Sequence, residues 1–378
     1  MRMQFRDLQR QYLALKADID KAMSGVVTDC AYIMGPQVAE LEHRLAEYVG
    51  VKHCITCANG TDALTLALKV WGIGQEDAVF VPDFTFFASA EVVMLEGATP
   101  VFVDVDQDTF NIDADDLERA IKQTKKEGSL RPCAIIAVDL FGQPANYPRL
   151  REIADKYGLK ILEDGAQGFG GGINGKKACS FGDISTTSFF PAKPLGCYGD
   201  GGAVFTDNDE WAEMIDSYRI HGKGRSKYDN VRVGMNSRLD TLQAAVLLVK
   251  LKAFQKYELD AVNKVAAKYS EQFYEVVQIP VVPKGFMSSW AQYTIRLANE
   301  EQRDMMQDRL KEQGIPAMVY YPKPMHLQTA FMGIRRFSRS DLAVSSRMCR
   351  TVLSLPMHPY LTDDEIQMVA ETIQKSLC

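Results

Sequence analysis

The sequence predicts an α/β protein with a large, mostly parallel sheet and a smaller α+β domain after it. From about residue 50 to 206, short apolar runs alternate with helix-like segments, which is typical of a parallel sheet covered by helices on both faces. From about residue 240 this alternation gives way to one long helical stretch, a strand near 290–297 and a capped final helix. We therefore expect a large domain over residues 1–250, with an N-terminal helical segment, and a small C-terminal domain over residues 251–378.

Seven apolar runs are the predicted strands of the large sheet. They are CITC (54–57), VFVP (79–82), PVFVDV (100–105), AIIAVDL (134–140), KILED (160–164), STTSFF (185–190) and AVFT (203–206). Ligands of parallel sheets bind at the carboxyl ends of the strands, so candidate functional residues are sought there.

Composition and charge limit the functional class. Of the 378 residues 46% are hydrophobic and 24% charged, which excludes a largely disordered chain. With 43 Lys plus Arg and 49 Asp plus Glu, the formal net charge is −6, and we expect neither nucleic acid nor an anionic membrane as a partner. The start of the chain has no apolar centre of a signal peptide, and the apolar runs are too short to cross a bilayer. A cytoplasmic protein is the expectation.

The eight cysteines predict neither a disulfide framework nor a metal site. Cys54 and Cys57 form a CxxC, but no second pair and no pair of histidines stands at zinc spacing. We therefore expect small buried strand residues and no metal.

Three motifs at predicted strand ends could carry chemistry. In ANGTDAL (58–64) the turn at Gly60 and Thr61 opens a helix, so it is either an anion site or an ordinary helix cap. In ILEDGAQ (161–167) Asp164 ends a strand, and its carboxylate either pairs with a cationic group of a ligand or belongs to an ordinary turn. In SFFPAKPLGCYGDGGA (188–203) Lys193 stands between two prolines, either as a partly desolvated amine that attacks a carbonyl or as a surface lysine.

Together the three motifs match the needs of pyridoxal 5′-phosphate. Its phosphate needs N–H donors, its pyridine nitrogen an acid partner, and its aldehyde a lysine that forms a Schiff base. Phe86 or Phe87, in PDFTFFAS (82–89), could supply a flat surface against the ring, or either could belong to the core.

These motifs, with YIMGP (32–36) and RVGMNSRLDTLQAA (232–245), resemble those of the DegT/StrS family of nucleotide-sugar aminotransferases, within the fold-type I pyridoxal phosphate enzymes. Several stretches are similar to the WbpE-type members, which act on a UDP-linked 3-keto-N-acetylhexosaminuronate. The resemblance runs from about residue 5 to the C-terminus. It implies the fold-type I transferase fold, pyridoxal phosphate as cofactor and an obligate homodimer with shared active sites.

The resemblance also implies roles for single residues. Lys193 matches the Schiff-base lysine, and Asp164 matches the partner of the pyridine nitrogen. The other implied cofactor residues are Phe86 against the ring, Gln167 at the ring hydroxyl, Gly60, Thr61 and Ser188 at the phosphate, and Asn236, which reaches the phosphate from the second subunit.

On the substrate side, the resemblance places Tyr32 and Met34 near the nucleotide sugar. Arg238 is expected either on a sugar carboxylate or in an ion pair at the dimer interface. Tyr320 stands where the WbpE-type enzymes carry a histidine. Tyr321 and His326 follow it, and we retain all three as substrate candidates. Because of that departure, a neutral 6-deoxy keto sugar on dTDP or UDP stays open as the substrate.

The implied reaction is a ping-pong transamination in which glutamate, leaving as 2-oxoglutarate, donates an amino group to a nucleotide-linked keto sugar for polysaccharide or glycan synthesis. A regulatory relative that binds the cofactor without catalysis is one alternative. A related dehydratase would carry histidine in place of Lys193. A nicotinamide-dependent dehydrogenase would need GGGING (170–175) between a strand and a helix, and that context is missing.

Overall fold

The structure is a computed structural model that describes residues 3–226, 228–333 and 341–377. Its helices are α1 (Leu8–Asp29), α2 (Pro36–Val49), α3 (Gly60–Val70), α4 (Ala88–Leu95), α5 (Ala114–Glu127), α6 (Tyr147–Tyr157), α7 (Asp209–Arg219), α8 (Thr241–Ala253), α9 (Leu259–Phe273), α10 (Glu300–Glu312), α11 (Ala343–Thr351) and α12 (Asp363–Leu377). Its strands are β1 (His53–Cys57), β2 (Asp77–Pro82), β3 (Thr99–Val103), β4 (Arg131–Val138), β5 (Lys160–Asp164), β6 (Gly172–Ile173), β7 (Lys176–Lys177), β8 (Ile184–Ser188), β9 (Gly202–Thr206), β10 (Phe286–Met287), β11 (Tyr293–Arg296) and β12 (Val352–Leu355).

The seven predicted strands form one seven-stranded sheet in the order β1-β9-β8-β5-β4-β2-β3. From β8 to β3 every neighbouring pair is parallel, and β9 runs antiparallel to both of its neighbours. This confirms the predicted α/β fold with a mostly parallel sheet. STTSFF leaves its strand at Ser188, earlier than predicted, because Phe189 bonds instead to Gly201 and Cys197 of the returning loop.

Helices cover both faces of this sheet. Along β2, Val79 and Val81 enter a core shared with α3, α4 and α7, while Ala78 and Phe80 enter a second core shared with α5 and α6. Side chains of a strand alternate between the two faces, so a continuous apolar run fits a strand buried on both sides. The carboxyl edge of the sheet is left as the place for a site.

The C-terminal part has its own core around β11 and β12, which pair antiparallel. Helices α9, α10 and α12 pack against these strands through residues such as Tyr269, Leu310 and Val369. The predicted long helical stretch is present as α8, a π-helical segment (Phe254–Glu258) and α9. The chain therefore crosses residue 250 inside a helix, and the domain boundary there stays a prediction.

Two further features bear on the site. Residues 317–322, which follow α10, make a single strand-like bridge between Met318 and Ser354. At the other end of the chain, Phe5 accepts a backbone hydrogen bond from Met357, which ties the first residues to the C-terminal core. Within the described residues, no helix combines the length and apolar character needed to cross a bilayer.

Candidate active site

A cavity of about 660 Å³ opens at the carboxyl ends of β5 and β8, beside the start of α3. Most of the residues expected to bind the cofactor lie in its wall, although they come from distant parts of the chain. Among the predicted site residues, those that line it are Gly60, Thr61, Phe86, Asp164, Gln167, Ser188, Lys193, Tyr320 and Tyr321.

The N-terminus of α3 forms one end of this cavity. Asn59 caps the helix, since its side-chain oxygen accepts a hydrogen bond of 2.8 Å from the backbone N–H of Asp62. A Cβ on Gly60 would lie 2.7 Å from Cβ of Ser188, so only glycine allows this approach of α3 to the end of β8. The first N–H groups of a helix have no acceptor within it, and together with the Ser188 hydroxyl they make an anion site.

Asp164 lies at the end of β5 and is only 5% exposed. Its carboxylate accepts hydrogen bonds from the Ser89 hydroxyl at 2.8 Å and from the backbone N–H of Ala166 at 3.2 Å. Burial raises the pKa of Asp164, while the bond from Ser89 and the charge of Lys193 oppose that rise. A carboxylate held in this way is stabilised by a cationic group brought into the cavity.

Lys193 lies in the loop that follows β8. Its backbone is fixed on both sides, because its N–H donates to Phe190 and its carbonyl accepts a 2.8 Å hydrogen bond from the Arg6 guanidinium. Burial lowers the pKa of the Lys193 amine, and the charge of Arg6 adds to that shift against the opposing charge of Asp164. More of the amine is therefore neutral at a given pH than on an ordinary surface lysine.

The structure distinguishes Phe86 from Phe87. Phe86 is 53% exposed and lines the cavity, whereas Phe87 stacks on Phe331 with ring centroids 5.0 Å apart and packs against the core. An exposed phenyl ring in a cavity wall is a surface for another flat ring.

The side chain of Gln167 bridges the backbone of Phe141 and the hydroxyl of Tyr321, one of the predicted substrate residues. Its oxygen accepts a 2.6 Å hydrogen bond from the N–H of Phe141, and its nitrogen donates to the hydroxyl of Tyr321 at 3.0 Å. Burial raises the pKa of the Tyr321 phenol, so this hydroxyl stays protonated at neutral pH.

Five predicted residues do not line the cavity of their own chain, and four of them lie close together at the surface. Tyr32, Met34, Asn236 and Arg238 lie in two adjoining surface segments, joined by a hydrogen bond from Thr241 to the carbonyl of Tyr32. The Arg238 guanidinium donates a hydrogen bond to the side-chain oxygen of Asn236.

His326, a predicted substrate residue, is held by the end of β2. Its ring lies 2.6 Å from Asp83 and its backbone N–H donates to the same carboxylate at 2.7 Å, and the residue is buried. It is absent from the cavity wall. His326 therefore fastens the segment that carries Tyr320 and Tyr321 to the end of β2, and its role toward a substrate stays a prediction.

Sequence reasoning missed three residues that shape the site. Arg6 holds the backbone of Lys193, Ser89 holds Asp164, and Gln292 adds an amide to the cavity wall. Each acts across a long stretch of chain, from 75 residues for Ser89 to 187 for Arg6. No local motif marks such contacts, although the position of Ser89 at the start of a helix after a strand was a usable indication.

The residues of the cavity fit pyridoxal phosphate. The helix N-terminus with its hydroxyl suits the phosphate, and the buried carboxylate suits the ring nitrogen. The lysine with a lowered pKa suits the aldehyde, and the exposed phenyl ring suits the face of the cofactor ring. The described residues bring together no group of potential metal ligands. The fold and the cavity thus define a fold-type I pyridoxal phosphate-dependent transferase.

The sequence identifies the family within that class. The model of the DegT/DnrJ/EryC1/StrS aminotransferase family matches residues 14–374, and the chain belongs to this family. It is a pyridoxal phosphate-dependent aminotransferase.

Three relatives illustrate the range of functions. UDP-2-acetamido-2-deoxy-3-oxo-D-glucuronate aminotransferase of Pseudomonas aeruginosa is 44% identical, with 98% of this chain and 99% of the relative covered. A pleiotropic regulatory protein of Geobacillus stearothermophilus is 41% identical, covering 97% and 96%. UDP-N-acetyl-3-dehydro-alpha-D-glucosamine 3-aminotransferase of Acidithiobacillus ferrooxidans is 38% identical, covering 98% and 97%.

Two solved structures are similar over the whole chain. A DegT/DnrJ/EryC1/StrS aminotransferase from Brucella abortus is 50% identical with a TM-score of 0.97, and 99% of each chain is covered. DesV of S. venezuelae, in complex with a ketimine intermediate, is 34% identical with a TM-score of 0.91, covering 99% of this chain and 98% of that one.

Proposed function

We propose that this protein transfers an amino group from glutamate to a UDP-linked 3-keto-N-acetylhexosaminuronate during polysaccharide or glycan precursor synthesis. The observation that carries the proposal is the convergence of Lys193, Asp164 and the start of α3 on one cavity. The similarity over nearly the full length to an aminotransferase named for such a uronate supports the substrate class.

Some of the proposed cofactor residues bind the cofactor, and Asp164 controls the protonation of its ring. Bound pyridoxal phosphate supplies an aldehyde that exchanges amino groups and a ring that accepts electrons. In the proposal, the start of α3 and Ser188 bind its phosphate, and Phe86 packs against its ring. Asp164 keeps a proton on the ring nitrogen, because its buried carboxylate favours a cationic neighbour.

Lys193 is the proposed acid and base of the reaction. Its pKa is lowered by burial, so the free amine can take a proton from the substrate carbon and return it to the neighbouring carbon of the cofactor. The hydrogen bonds from Arg6 to the carbonyls of Lys193 and Pro194 keep this loop in one place.

The homodimer with shared active sites is part of the proposal. Asn236 and Arg238 lie at the surface beside the exposed apolar side chains of Tyr32 and Met34, outside the cavity of their own chain. In the proposal this surface meets a second copy, whose cavity receives Asn236 at the phosphate and Arg238 at the sugar carboxylate through paired donors. Tyr320 and Tyr321 line the substrate side from within the same chain.

A regulatory relative without catalysis would not need both Lys193 and Asp164, and both line this cavity. Catalysis is therefore favoured over regulation, although one relative bears a regulatory name. Seven cysteines among the described residues are unpaired, which suits the reducing cytoplasm that we propose as its location.

A panel assay tests the proposal. The enzyme is incubated with glutamate and with UDP-linked 3-keto uronate, UDP-linked 3-keto-N-acetylglucosamine or dTDP-linked 6-deoxy keto sugar, and the products are identified by mass spectrometry and NMR. We expect an amino sugar and 2-oxoglutarate with the 3-keto uronate. Amination of the 6-deoxy sugar in preference would move the substrate to the alternative, and the absence of any amino sugar would refute the reaction.

A further inference from the structure

Two buried carboxyl groups lie side by side at the ends of β4 and β5, and the proposed reaction uses neither. Glu163 belongs to β5, Asp139 directly follows β4, and both are fully buried. In the register of the two strands Glu163 lies opposite Ala137, so Asp139, two residues further along, lies on the same face of the sheet. Asp164 is on the other face, where the Ser89 hydroxyl bonds to it.

Glu163 has the hydrogen bonds of an ionised carboxylate. Its two oxygens accept four of them at 2.5–3.2 Å, and the donors are the backbone N–H groups of Cys179, Phe181 and Gly182 and the hydroxyl of Ser185. An ionised carboxylate only accepts hydrogen bonds, so this set of donors stabilises its charge. Burial raises the pKa of Glu163, and its hydrogen bonds oppose that rise.

Asp139 has the hydrogen bonds of a neutral acid. Oδ1 accepts from the Tyr147 hydroxyl at 2.7 Å and from the backbone N–H of Ala145 at 3.0 Å. Oδ2 is closed to solvent and accepts from no donor among the described residues, although the Asp139 and Glu163 carboxyl groups are within hydrogen-bonding reach of each other. Two ionised carboxylates cannot bond in this way, whereas a proton on Oδ2 provides the donor.

The surroundings of the pair favour one retained proton. Burial, with the charge of Glu163 adding to it, raises the pKa of Asp139 well above its usual value. No cationic side chain among the described residues bonds to either carboxyl group. The other titratable groups that face the pair are Tyr147 on α6 and Cys179 in the loop after β7, and burial raises the pKa of both. Two adjacent buried carboxyl groups therefore share a single negative charge.

Asp139 also lies at the base of two segments that together place Gln167. The loop after Asp139 folds back so that the N–H of Ala145 reaches Oδ1. The turn that carries Gln167 packs on Oδ2, since a Cβ on Gly168 would overlap that oxygen. The two segments meet where the N–H of Phe141 donates to the side-chain oxygen of Gln167.

We propose that Asp139 is a neutral carboxylic acid that donates a hydrogen bond to Glu163, and that this bond makes Asp139 a positioning residue for Gln167. Ionisation of Asp139 would set two negative charges against each other under the turn that carries Gln167. The proposal concerns the support of the cavity wall and holds whichever keto sugar is aminated.

Denaturant titration of the holoenzyme at pH 6, 7 and 8 tests the proton. Asp139→Asn keeps the shape of the side chain, an acceptor oxygen and an N–H donor toward Glu163, but it has no proton to lose. In the unfolded chain Asp139 is ionised above about pH 4, so wild-type folding takes up a proton and becomes less favourable as the pH rises. Relative to Asp139→Asn, the folding equilibrium constant of the wild type should fall about 10-fold per pH unit and per subunit. A ratio that does not change with pH overturns the neutral acid.

Asp77 offers a matched control for this titration. It is also buried, but it pairs with Arg131 at 2.8 Å, so its charge has a partner in the folded protein. Asp77→Asn should change the folding equilibrium constant by the same factor at all three pH values. A pH-dependent change equal to that of Asp139→Asn would show that the effect is not specific to the carboxyl pair.

Glu163→Gln shows which residue carries the proton. Its amide would set N–H groups against the four donors that now bond to Glu163, so we expect the folding equilibrium constant to fall about 100-fold or more, or the variant not to fold. Asp139→Asn should fold and keep kcat within about 2-fold of wild type. The reverse order, with Glu163→Gln tolerated and Asp139→Asn not, overturns the assignment.

Two further variants test the positioning of Gln167. Asp139→Ala removes both oxygens, and Gly168→Ala pushes the turn off Oδ2 from the other side. Each should lower kcat about 10-fold, and neither should lower it further when combined with Gln167→Leu, because the effect passes through that side chain. Gly168→Ala decides the point if Asp139→Ala does not fold. An unchanged kcat, or losses that add to that of Gln167→Leu, overturns the positioning role.

Discussion

The two walls of the active-site cavity are built in different ways. One wall consists of strand ends and the start of α3, where Asp164, Ser188 and Gly60 take their places from the sheet itself. The opposite wall comes from the C-terminal part of the chain. There the backbone N–H of Gln292 donates to Phe141 and the Tyr321 hydroxyl accepts from Gln167, each across more than a hundred residues of sequence. We infer that the first wall performs the chemistry and the second selects the substrate. If so, substitutions at the sheet edge should lower activity most, and substitutions far from the cavity should leave it unchanged.

Lys193→Ala should have the largest effect. Among the described residues that line the cavity, Lys193 carries the one amine that can form the Schiff base, so its loss should lower turnover about 10⁴-fold or more. Steady-state kinetics measures the loss, and added methylamine should restore part of it because a free amine can replace the side chain. Turnover near the wild-type rate would show that the sheet-edge wall does not perform the chemistry.

Asp164→Asn should come next. The amide keeps the size of the carboxylate but not its charge, and we expect kcat to fall about 10²–10³-fold, as when one electrostatic contact is removed from an active site. Ser89→Ala removes one hydrogen bond to Asp164 and leaves the charge, so its loss should be smaller. If both variants lose activity equally, the charge of Asp164 is not what matters.

The sheet-edge wall could be predicted from the sequence to a large extent. KILED matched β5 in both bounds, and Asp164 at its end lies in the cavity as a strand end should. Parallel sheets place strand ends at one edge, so local periodicity was enough to bring these residues together.

The opposite wall could not be predicted in the same way. No sequence motif predicted that His326 is held by Asp83, and none pointed to Gln292. Their positions depend on how the last 120 or so residues fold back onto the sheet, and no local pattern encodes such contacts. The position of Arg6, near the start of the chain, likewise depends on a contact with Lys193 that no local pattern predicts.

Arg6→Leu should lower activity less than Asp164→Asn, because Arg6 holds the loop of Lys193 without lining the cavity. It removes the hydrogen bond to the carbonyl of Lys193, and we expect kcat to fall about 10-fold because the amine is less well placed. Loss of the Arg6 charge also removes a cause of the lowered Lys193 pKa. The pKa of Lys193 should therefore rise, and the acidic limb of the pH profile, which reports loss of the neutral amine, should move to higher pH.

Arg6→Lys is the control for this shift, since it retains the charge while losing the paired hydrogen bonds. It should lower kcat and keep the pH profile of the wild type. A pH profile that moves equally in both variants would contradict the electrostatic role of Arg6.

Glu365→Gln should affect the scaffold alone. Glu365 bonds to Arg10 through two contacts of 2.7 Å, joining α12 to α1, and this bond lowers the pKa of Glu365 from 4.5 to about 2. Because the folded-state pKa is depressed, the stabilisation is present above about pH 4.5 and is lost as the pH falls toward 2.

Allowing for solvent screening, we expect Glu365→Gln to lower the free energy of unfolding by about 1 kcal/mol at pH 7, with kcat unchanged. Denaturant titrations at pH 7 and near pH 2 measure the difference, which should vanish at the lower pH. Glu371→Gln, which breaks an exposed pair with Lys375 on the same helix, should have no measurable effect. A large loss of activity in Glu365→Gln would contradict the separation of scaffold from site.

The most direct test of the account is to map the covalent bond between enzyme and cofactor. The holoenzyme is reduced with borohydride, digested and analysed by mass spectrometry for the peptide that carries the phosphopyridoxyl group. The account predicts that group on Lys193, in the loop after β8. Finding it on another lysine, or on none, would contradict the assignment of the active site.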